Sequence, residues 1–319
     1  MRIYAAGIES TTRAKAVAAL APEHGDFLGS FFIIRGARRE RRRENAEIVR
    51  RAASGWLLID SGAHTLLAQD PTIGSNKARR PGRAGRVEPD AFFDEYVDWL
   101  STHRDLYDWF VELDIAELAG RAAVDRWRRC VRDAGLADRC LLVWHPLSET
   151  FEDFLRVADD WPSGYVALEG IRDARRSIDY GRALRELYRL GIRVHGFALV
   201  NRRVLATWPF YSVDSLGWLS GEAYGAIPVA GPRGATRWVR AERPRNLRHA
   251  EALESAVREV GFDVLAGHGR RDKAVLHSAR QATMRLALDA LARQAEFFTD
   301  YWKARGVDWD AAIAKRVAS

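Results

Sequence analysis

The chain has 319 residues, of which 47% are hydrophobic, so it is long enough to bury a large core in one or two domains. No apolar run approaches the roughly 20 residues that a membrane-spanning helix needs, and the N-terminus lacks the pattern of a signal peptide. We therefore expect a soluble, cytoplasmic protein with no membrane partner. The formal net charge of +7 favours a polyanionic partner, because Lys and Arg release counterions from phosphates when they bind them.

Two short apolar runs open the chain, RIYAAG at 2–7 and FLGSFFII at 27–34, and both are typical of buried strands or their lead-ins. The segment 35–51 that follows is dense in Arg and Glu at spacings that allow ion pairs along a helix surface. It predicts a solvent-exposed helix, and a phosphate-binding arm is the alternative.

The apolar run 56–59 predicts another strand, and Asp60, Ser61 and Gly62 follow it directly. Gly62 lets a ligand approach the backbone closely, and Ser61 offers a hydroxyl beside the carboxylate. The next segment, 69–87, is rich in Gly, Pro and basic residues, and it predicts a surface loop that either holds a nucleic-acid backbone or has no partner. The candidate nucleic-acid contacts in this loop are Lys77, Arg79, Arg80, Arg83 and Arg86.

Helical and strand-like patterns alternate over most of the remaining chain. Strands are predicted at 109–114, 139–144, 165–168, 193–198 and 210–213, with a short eighth strand at 225–229. Helices are predicted at 89–100, 124–134, 151–158 and 180–190 and, beyond residue 233, at 247–260 and 278–304.

This alternation predicts an α/β fold in which parallel βα units close into a (β/α)8 TIM-like barrel. The strands are apolar throughout, as buried parallel strands are. An open doubly wound sheet is the competing architecture, but no GxGxxG motif follows the first strand. We expect residues 1–235 to form the barrel, and 236–319 to form its last helix and a helical C-terminal extension of the same domain.

Polar side chains follow several of the predicted strands, and a parallel barrel would bring them to one rim. Two carboxylates that face each other there could carry out a displacement at a sugar carbon between them. One would attack C1′, and the other would move a proton on the base. Asp214 and Asp60 are the candidates, although an Asp that caps the next helix is the alternative for Asp214. The predicted rim residues are Asp60, Asp114, His145, Gly170, His195 and Asp214.

Several motifs of the chain resemble those of tRNA-guanine transglycosylases. The run LLI followed by Asp60-Ser61-Gly62 resembles the DSG motif of that family, and VEPDAFFDEYVDWL resembles its next helix. WFVELD, ending at Asp114, the segment from Gly164 to Gly170, and Val213-Asp214 are similar to later strands of the family in the same order. The resemblance covers roughly residues 55 to 220.

The resemblance implies that Asp214 is a nucleophile forming a covalent glycosyl–enzyme intermediate at C1′, and that Asp60 is the general acid and base. It implies base contacts from further residues near the two carboxylates. These base-binding candidates are Ser61, Asp114, His145, Gly170, His195 and Gly196.

The chain departs from the tRNA enzymes because it lacks their zinc site of three Cys and one His, so we expect no metal and no other cofactor. HGFALV and PFYSVDSLGW are instead similar to zinc-free DNA-guanine transglycosylases of phages and bacterial DNA-modification clusters. The expected partners are then DNA and a free 7-deazaguanine base such as preQ0, in the host cytoplasm if the protein is phage-encoded. The alternatives are an enzyme acting on tRNA, a barrel that binds nucleic acid without chemistry, and a small-molecule glycoside enzyme.

Overall fold

A computed structural model of the chain describes residues 1–20, 25–38, 41–69, 88–146, 149–168, 179–220, 226–240 and 273–318. Eight parallel strands close into a barrel in which each strand pairs with the next along the chain, and the last pairs with the first. This confirms the predicted (β/α)8 class. The barrel strands are β1 (Arg2–Ala6), β2 (Phe27–Ser30), β3 (Leu57–Asp60), β4 (Trp109–Val111), β5 (Cys140–Trp144), β6 (Tyr165–Leu168), β7 (Arg193–Gly196) and β8 (Ser212–Ser215).

Helices follow the strands and cover the outside of the barrel with their apolar faces. In α7, for example, Val124, Trp127 and Val131 recur at helical spacing and are buried, while Arg126 and Arg129 on the opposite side are exposed. The helices are α1 (Thr11–Leu20), α2 (Phe31–Ile34), α3 (Arg42–Ala52), α4 (Ala63–Gln69), α5 (Pro89–Thr102), α6 (Ala116–Ala119), α7 (Arg121–Asp133), α8 (Phe151–Asp159), α9 (Tyr180–Arg189) and α10 (Arg202–Thr207).

Aromatic side chains fill the lower part of the barrel interior. Trp56, Trp109, Tyr165 and Tyr211 contact one another edge-on or tilted, with ring centroids 5.2–6.3 Å apart, and we call this group the aromatic plug. The plug closes the end of the barrel at which the strands begin. The opposite end, where the strands finish, is left to the polar residues that follow them.

One predicted barrel strand is wrong. The segment 226–230 does form a strand, β9 (Ala226–Ala230), but it pairs antiparallel with β10 (Thr236–Arg240) in a separate hairpin. The barrel reaches eight strands without it because both N-terminal runs contribute one strand each. The second of these runs is shorter than predicted, since the chain turns into α2 at Phe31.

The C-terminal region is helical, as predicted, with α11 (Lys273–Lys303) and α12 (Trp309–Ala318). The helix α11 packs against the β9–β10 hairpin and against β1. The hairpin itself straddles residue 235, and the helix predicted at 247–260 lies outside the described residues. Within the described part of the chain, none of the helices combines the length and the apolar character needed to cross a bilayer.

Candidate active site at the C-terminal rim

Asp214 is the third residue of β8 and lies beside Tyr4 of β1 in the strand register. Its Oδ1 accepts a hydrogen bond of 2.7 Å from the backbone N–H of Ala198, in the turn after β7. Ala198 has a φ of 54°, a left-handed conformation that non-glycine residues adopt at a cost of about 1 kcal/mol. The strained turn therefore directs a backbone donor at the Asp214 carboxylate, whose side chain keeps 12% of its surface exposed.

A buried hydrogen-bonded row of side chains lies below Asp214. Tyr165 OH hydrogen-bonds Ser212 Oγ, Ser212 Oγ lies 2.8 Å from His195 Nδ1, and His195 Nε2 lies 3.4 Å from Asp214 Oδ1. If Ser212 donates to Nδ1, the ring proton is on Nε2 and faces the carboxylate. The other tautomer would turn a lone pair toward Asp214, so we assign the proton to Nε2. The row thus places the His195 ring against the Asp214 carboxylate.

Asp60 is the last residue of β3, and its Oδ2 accepts a hydrogen bond of 3.1 Å from the Gly62 backbone N–H. Gly62 has a φ of +83°, and a Cβ there would lie 2.3 Å from Phe32 Cβ and 2.7 Å from Ser30 Oγ. Only glycine fits this turn. The small residue in the sequence motif therefore allows the turn that brings an N–H to Asp60.

The environment of Asp60 favours its protonated form. Burial, together with the negative charges of Asp214, Asp114 and Glu9, raises the pKa of Asp60 to about 7, against the opposing effect of the Gly62 hydrogen bond. In the described residues neither Asp60 nor Asp214 forms an ion pair with Lys or Arg. We call these two residues the carboxylate pair, of which one member holds a proton near neutral pH.

Glu9 is a third carboxylate on this side of the rim, and the sequence analysis missed it. Its Oε1 accepts a hydrogen bond of 2.6 Å from the backbone N–H of Ser30, and burial raises the pKa of Glu9. It follows β1 just as Asp60 ends β3, so the rule that acids follow barrel strands could have found it. Its charge contributes to the raised pKa of Asp60.

Two acids that follow β4 and β5, Glu112 and Glu149, are paired with arginine. Glu112 accepts two hydrogen bonds from the buried Arg128 guanidinium, at 2.8 and 2.6 Å, and one of 2.6 Å from the backbone N–H of Val143. Glu149 pairs with Arg121 and is also buried. The pKa of Arg128 is raised by Glu112 despite the opposing effect of burial. We call these two Glu–Arg pairs the paired cluster.

Asp114 and His145 lie between the paired cluster and the carboxylate pair. Asp114 Oδ1 is 3.1 Å from His145 Nδ1, and the Asp114 side chain remains 28% exposed. Burial lowers the pKa of His145, but the hydrogen bond and charge of Asp114 and the charge of Glu112 outweigh it, so the net pKa is raised. The two predicted base-binding residues thus contact each other at the rim.

The other predicted site residues lie as follows. Ser61 is completely buried, and its Oγ accepts a weak 3.4 Å hydrogen bond from the Ala63 N–H. The His195 ring packs between Tyr4 and Phe197 with no exposed surface, and Gly196 lies against Phe210. Their contacts to a bound base stay predictions. The candidates outside the described residues are Gly170, Lys77, Arg79, Arg80, Arg83 and Arg86.

The described residues contain no group of three or more His, Cys, Asp or Glu arranged to hold a metal ion. A polar cavity of about 330 Å³ is lined by Arg2, Asp26 and Tyr211, among others, and lies at the opposite end of the barrel from the carboxylate pair. Chemistry in parallel barrels occurs at the end where the strands finish, so the rim remains the candidate site.

Comparison with protein-family models finds no match to this chain, and comparison with curated proteins finds none either. The class of protein therefore follows from the strand topology: this is a (β/α)8 barrel with a helical C-terminal region. The likeness of its motifs to guanine transglycosylases stays an expectation from the sequence.

Proposed function

We propose that the protein is a DNA-guanine transglycosylase, which exchanges guanine in DNA for a 7-deazaguanine base such as preQ0. The observation that carries this proposal is the carboxylate pair, in which Asp60 has a pKa of about 7 and the Asp214 carboxylate accepts a hydrogen bond from the Ala198 backbone N–H. Base exchange at C1′ needs one ionised nucleophile and one group that can both give and take a proton near neutral pH.

In the first half of the reaction, an oxygen of Asp214 attacks C1′ of the target nucleotide. The bond from C1′ to N9 of guanine breaks, and the bond electrons leave with the base. Asp60 gives its proton to the departing guanine, which prevents the negative charge from accumulating on the base. The nucleotide, without its base, remains as an ester of Asp214.

In the second half, the 7-deazaguanine occupies the position that guanine has left. Asp60, now ionised, takes the proton from N9 of the incoming base, and N9 attacks C1′. The ester bond to Asp214 breaks, which regenerates both carboxyl groups in their starting forms. The exchange is balanced in atoms and charge, and it consumes no other reactant.

DNA as the substrate is supported by two features of the chain. The net charge of +7 favours a polyanion, and the motifs at the end of β7 and around β8 resemble those of zinc-free enzymes that act on DNA. A guanine within a duplex would first have to leave the base stack, at a cost of a few kcal/mol that a single strand avoids.

The proposal is tested by incubating the full chain with guanine-containing DNA and preQ0, digesting the DNA and analysing its nucleosides by mass spectrometry. We expect the deazapurine deoxynucleoside in wild-type samples and none with D214N. A parallel reaction with tRNA serves as the second arm. Incorporation into tRNA alone would overturn DNA as the substrate, and the absence of any exchange across a panel of 7-deazaguanines would overturn the activity.

A further inference from the structure

We propose that the β9–β10 hairpin provides a stacking platform, centred on Trp238, for an unpaired base of single-stranded DNA next to the target nucleotide. This inference rests on the proposed function for the identity of the partner and specifies the state of the strand. We define the platform as Trp238 with Leu216, together with Arg233 and Arg237 of the hairpin and Arg202, which contacts the hairpin.

Trp238 differs from the other tryptophans of the chain. All eleven lie in the described residues, and it is the one that is exposed, with 52% of its surface accessible. Removing the apolar surface of an indole ring from water is favourable, so an exposed ring beside another exposed apolar side chain favours a partner that covers it. Base stacking on an aromatic face is tolerant of sequence and uses this kind of surface.

The platform lies beside the carboxylate pair. A Cβ at Gly217 would lie 3.2 Å from the Trp238 ring, so the indole covers the backbone three residues after Asp214. Leu216, which lies between Asp214 and Gly217 in the sequence, is 63% exposed. The Gly217 N–H donates to Ser215 Oγ at 2.9 Å, which fixes the turn that joins the end of β8 to the platform.

The arginines on and next to the hairpin fit a phosphate backbone. Arg202, Arg233 and Arg237 are all exposed, and in the described part of the chain none of them pairs with a carboxylate. Arg202 Nε donates to the Arg233 carbonyl oxygen at 3.1 Å, which links α10 to the hairpin. A hairpin that carries an exposed aromatic ring and exposed guanidinium groups matches a single strand, whose bases and phosphates are both accessible.

The hairpin is held rigidly on α11, so the platform has a defined position. Gly234 has a φ of +66°, and a Cβ there would lie 2.5 Å from the Phe297 ring. Gln294 Nε2 donates to the Gly234 carbonyl oxygen at 3.2 Å. A rigid surface lowers the entropic cost of ordering a strand on the enzyme.

The test compares two fluorescein-labelled single-stranded DNAs of equal length, one with normal bases and one with abasic sites beside a single guanine. Fluorescence anisotropy measures binding of each strand to the full chain. We expect wild type to prefer the strand with bases by about 5- to 30-fold, as stacking of one or more bases predicts. W238A should lose this preference, and W238F should retain most of it.

The arginines are tested by the salt dependence of binding. We expect R237A to reduce the slope of log K against log salt by about 0.7, the value for one phosphate contact with a single strand. R129A removes an exposed arginine from the outer helix α7 and should leave the slope unchanged. Thermal melts of each variant check that it is folded.

Equal binding of the two strands by wild type, or an unchanged preference in W238A, would overturn the platform. The outcome is independent of base exchange, because anisotropy measures binding alone. If the preference behaves as expected but no deazapurine enters DNA, the proposed function fails and the platform remains.

Discussion

Two groups of acids lie at the same rim of the barrel in contrasting environments. In the paired cluster, the buried Glu112 receives two hydrogen bonds from Arg128 and Glu149 pairs with Arg121. In the carboxylate pair, Asp60 and Asp214 have no arginine or lysine partner among the described residues. The first group resembles a structural ion-pair network, whereas the second leaves charge uncompensated.

The presence or absence of an arginine partner distinguishes structural acids from candidate catalytic acids, whereas their position at the rim does not. A buried carboxylate without a cationic partner is costly, and proteins retain such groups mainly at functional sites. A carboxylate held by a guanidinium cannot easily give or take a proton at neutral pH. We therefore expect removal of the carboxylate pair to affect activity and removal of the paired cluster to affect stability.

The largest expected effect is that of D214N, because the amide cannot form the ester at C1′. We expect base exchange to fall below detection while the affinity for single-stranded DNA stays within a few-fold of wild type. Nucleoside mass spectrometry and anisotropy measure the two quantities. Exchange at a normal rate would exclude Asp214 as the nucleophile.

The next effect is that of D60N, whose amide can hydrogen-bond but cannot move a proton. We expect exchange to slow by about 10²- to 10⁴-fold, the usual contribution of a general acid or base. D108N is the matched control, since Asp108 pairs with Arg50 at the other end of β3. A D60N enzyme as fast as D108N would remove Asp60 from the mechanism.

The paired cluster is tested by E112A, which leaves Arg128 buried without its main partner. We expect the free energy of unfolding to drop by about 3–5 kcal/mol in urea titrations. D105A, which removes an exposed partner of Arg43, should cost about 0–1 kcal/mol. Equal costs for the two variants would contradict the structural role of the cluster.

The smallest effect is the pH dependence of stability caused by Asp60. The pKa of Asp60 in the folded protein, about 7, lies above its ordinary value of 3.8. The folded state therefore binds the proton more tightly than the unfolded state, and stability falls as pH rises between those values. D60N removes this fall. Relative to wild type, the variant should therefore gain on the order of 2 kcal/mol between pH 5 and pH 8. If the difference in stability between D60N and wild type is the same at pH 5 and at pH 8, the pKa of Asp60 is not raised in the folded protein.

The barrel and the position of the acids could be predicted because apolar runs and strand ends are local features of the sequence. Asp60 and Asp214 each follow a buried run, and parallel strands bring such ends to one rim. The strand count was less predictable. A strand in a barrel and a strand in a hairpin can have the same pattern of apolar residues. Only its pairing with β10 shows that the segment 226–230 is not a barrel strand.

The electrostatic environment of the acids could not be predicted, because it depends on contacts between distant segments. Arg128 and Glu112 belong to neighbouring elements with no shared motif, yet their pairing makes Glu112 structural. The Ala198 N–H that contacts Asp214 is a backbone group with no sequence signal. Exposure of Trp238 likewise follows from packing of the hairpin on α11.

The central claim is that Asp214 becomes covalently bound to the substrate sugar. The most direct measurement is intact-protein mass spectrometry of the wild-type and D60N enzymes, each quenched in acid after incubation with a guanine-containing single-stranded DNA. The account predicts an adduct with the mass of the protein plus the DNA less one guanine, which peptide mapping assigns to Asp214. An adduct at another residue, or base exchange in the wild type without any adduct on either enzyme, would contradict it.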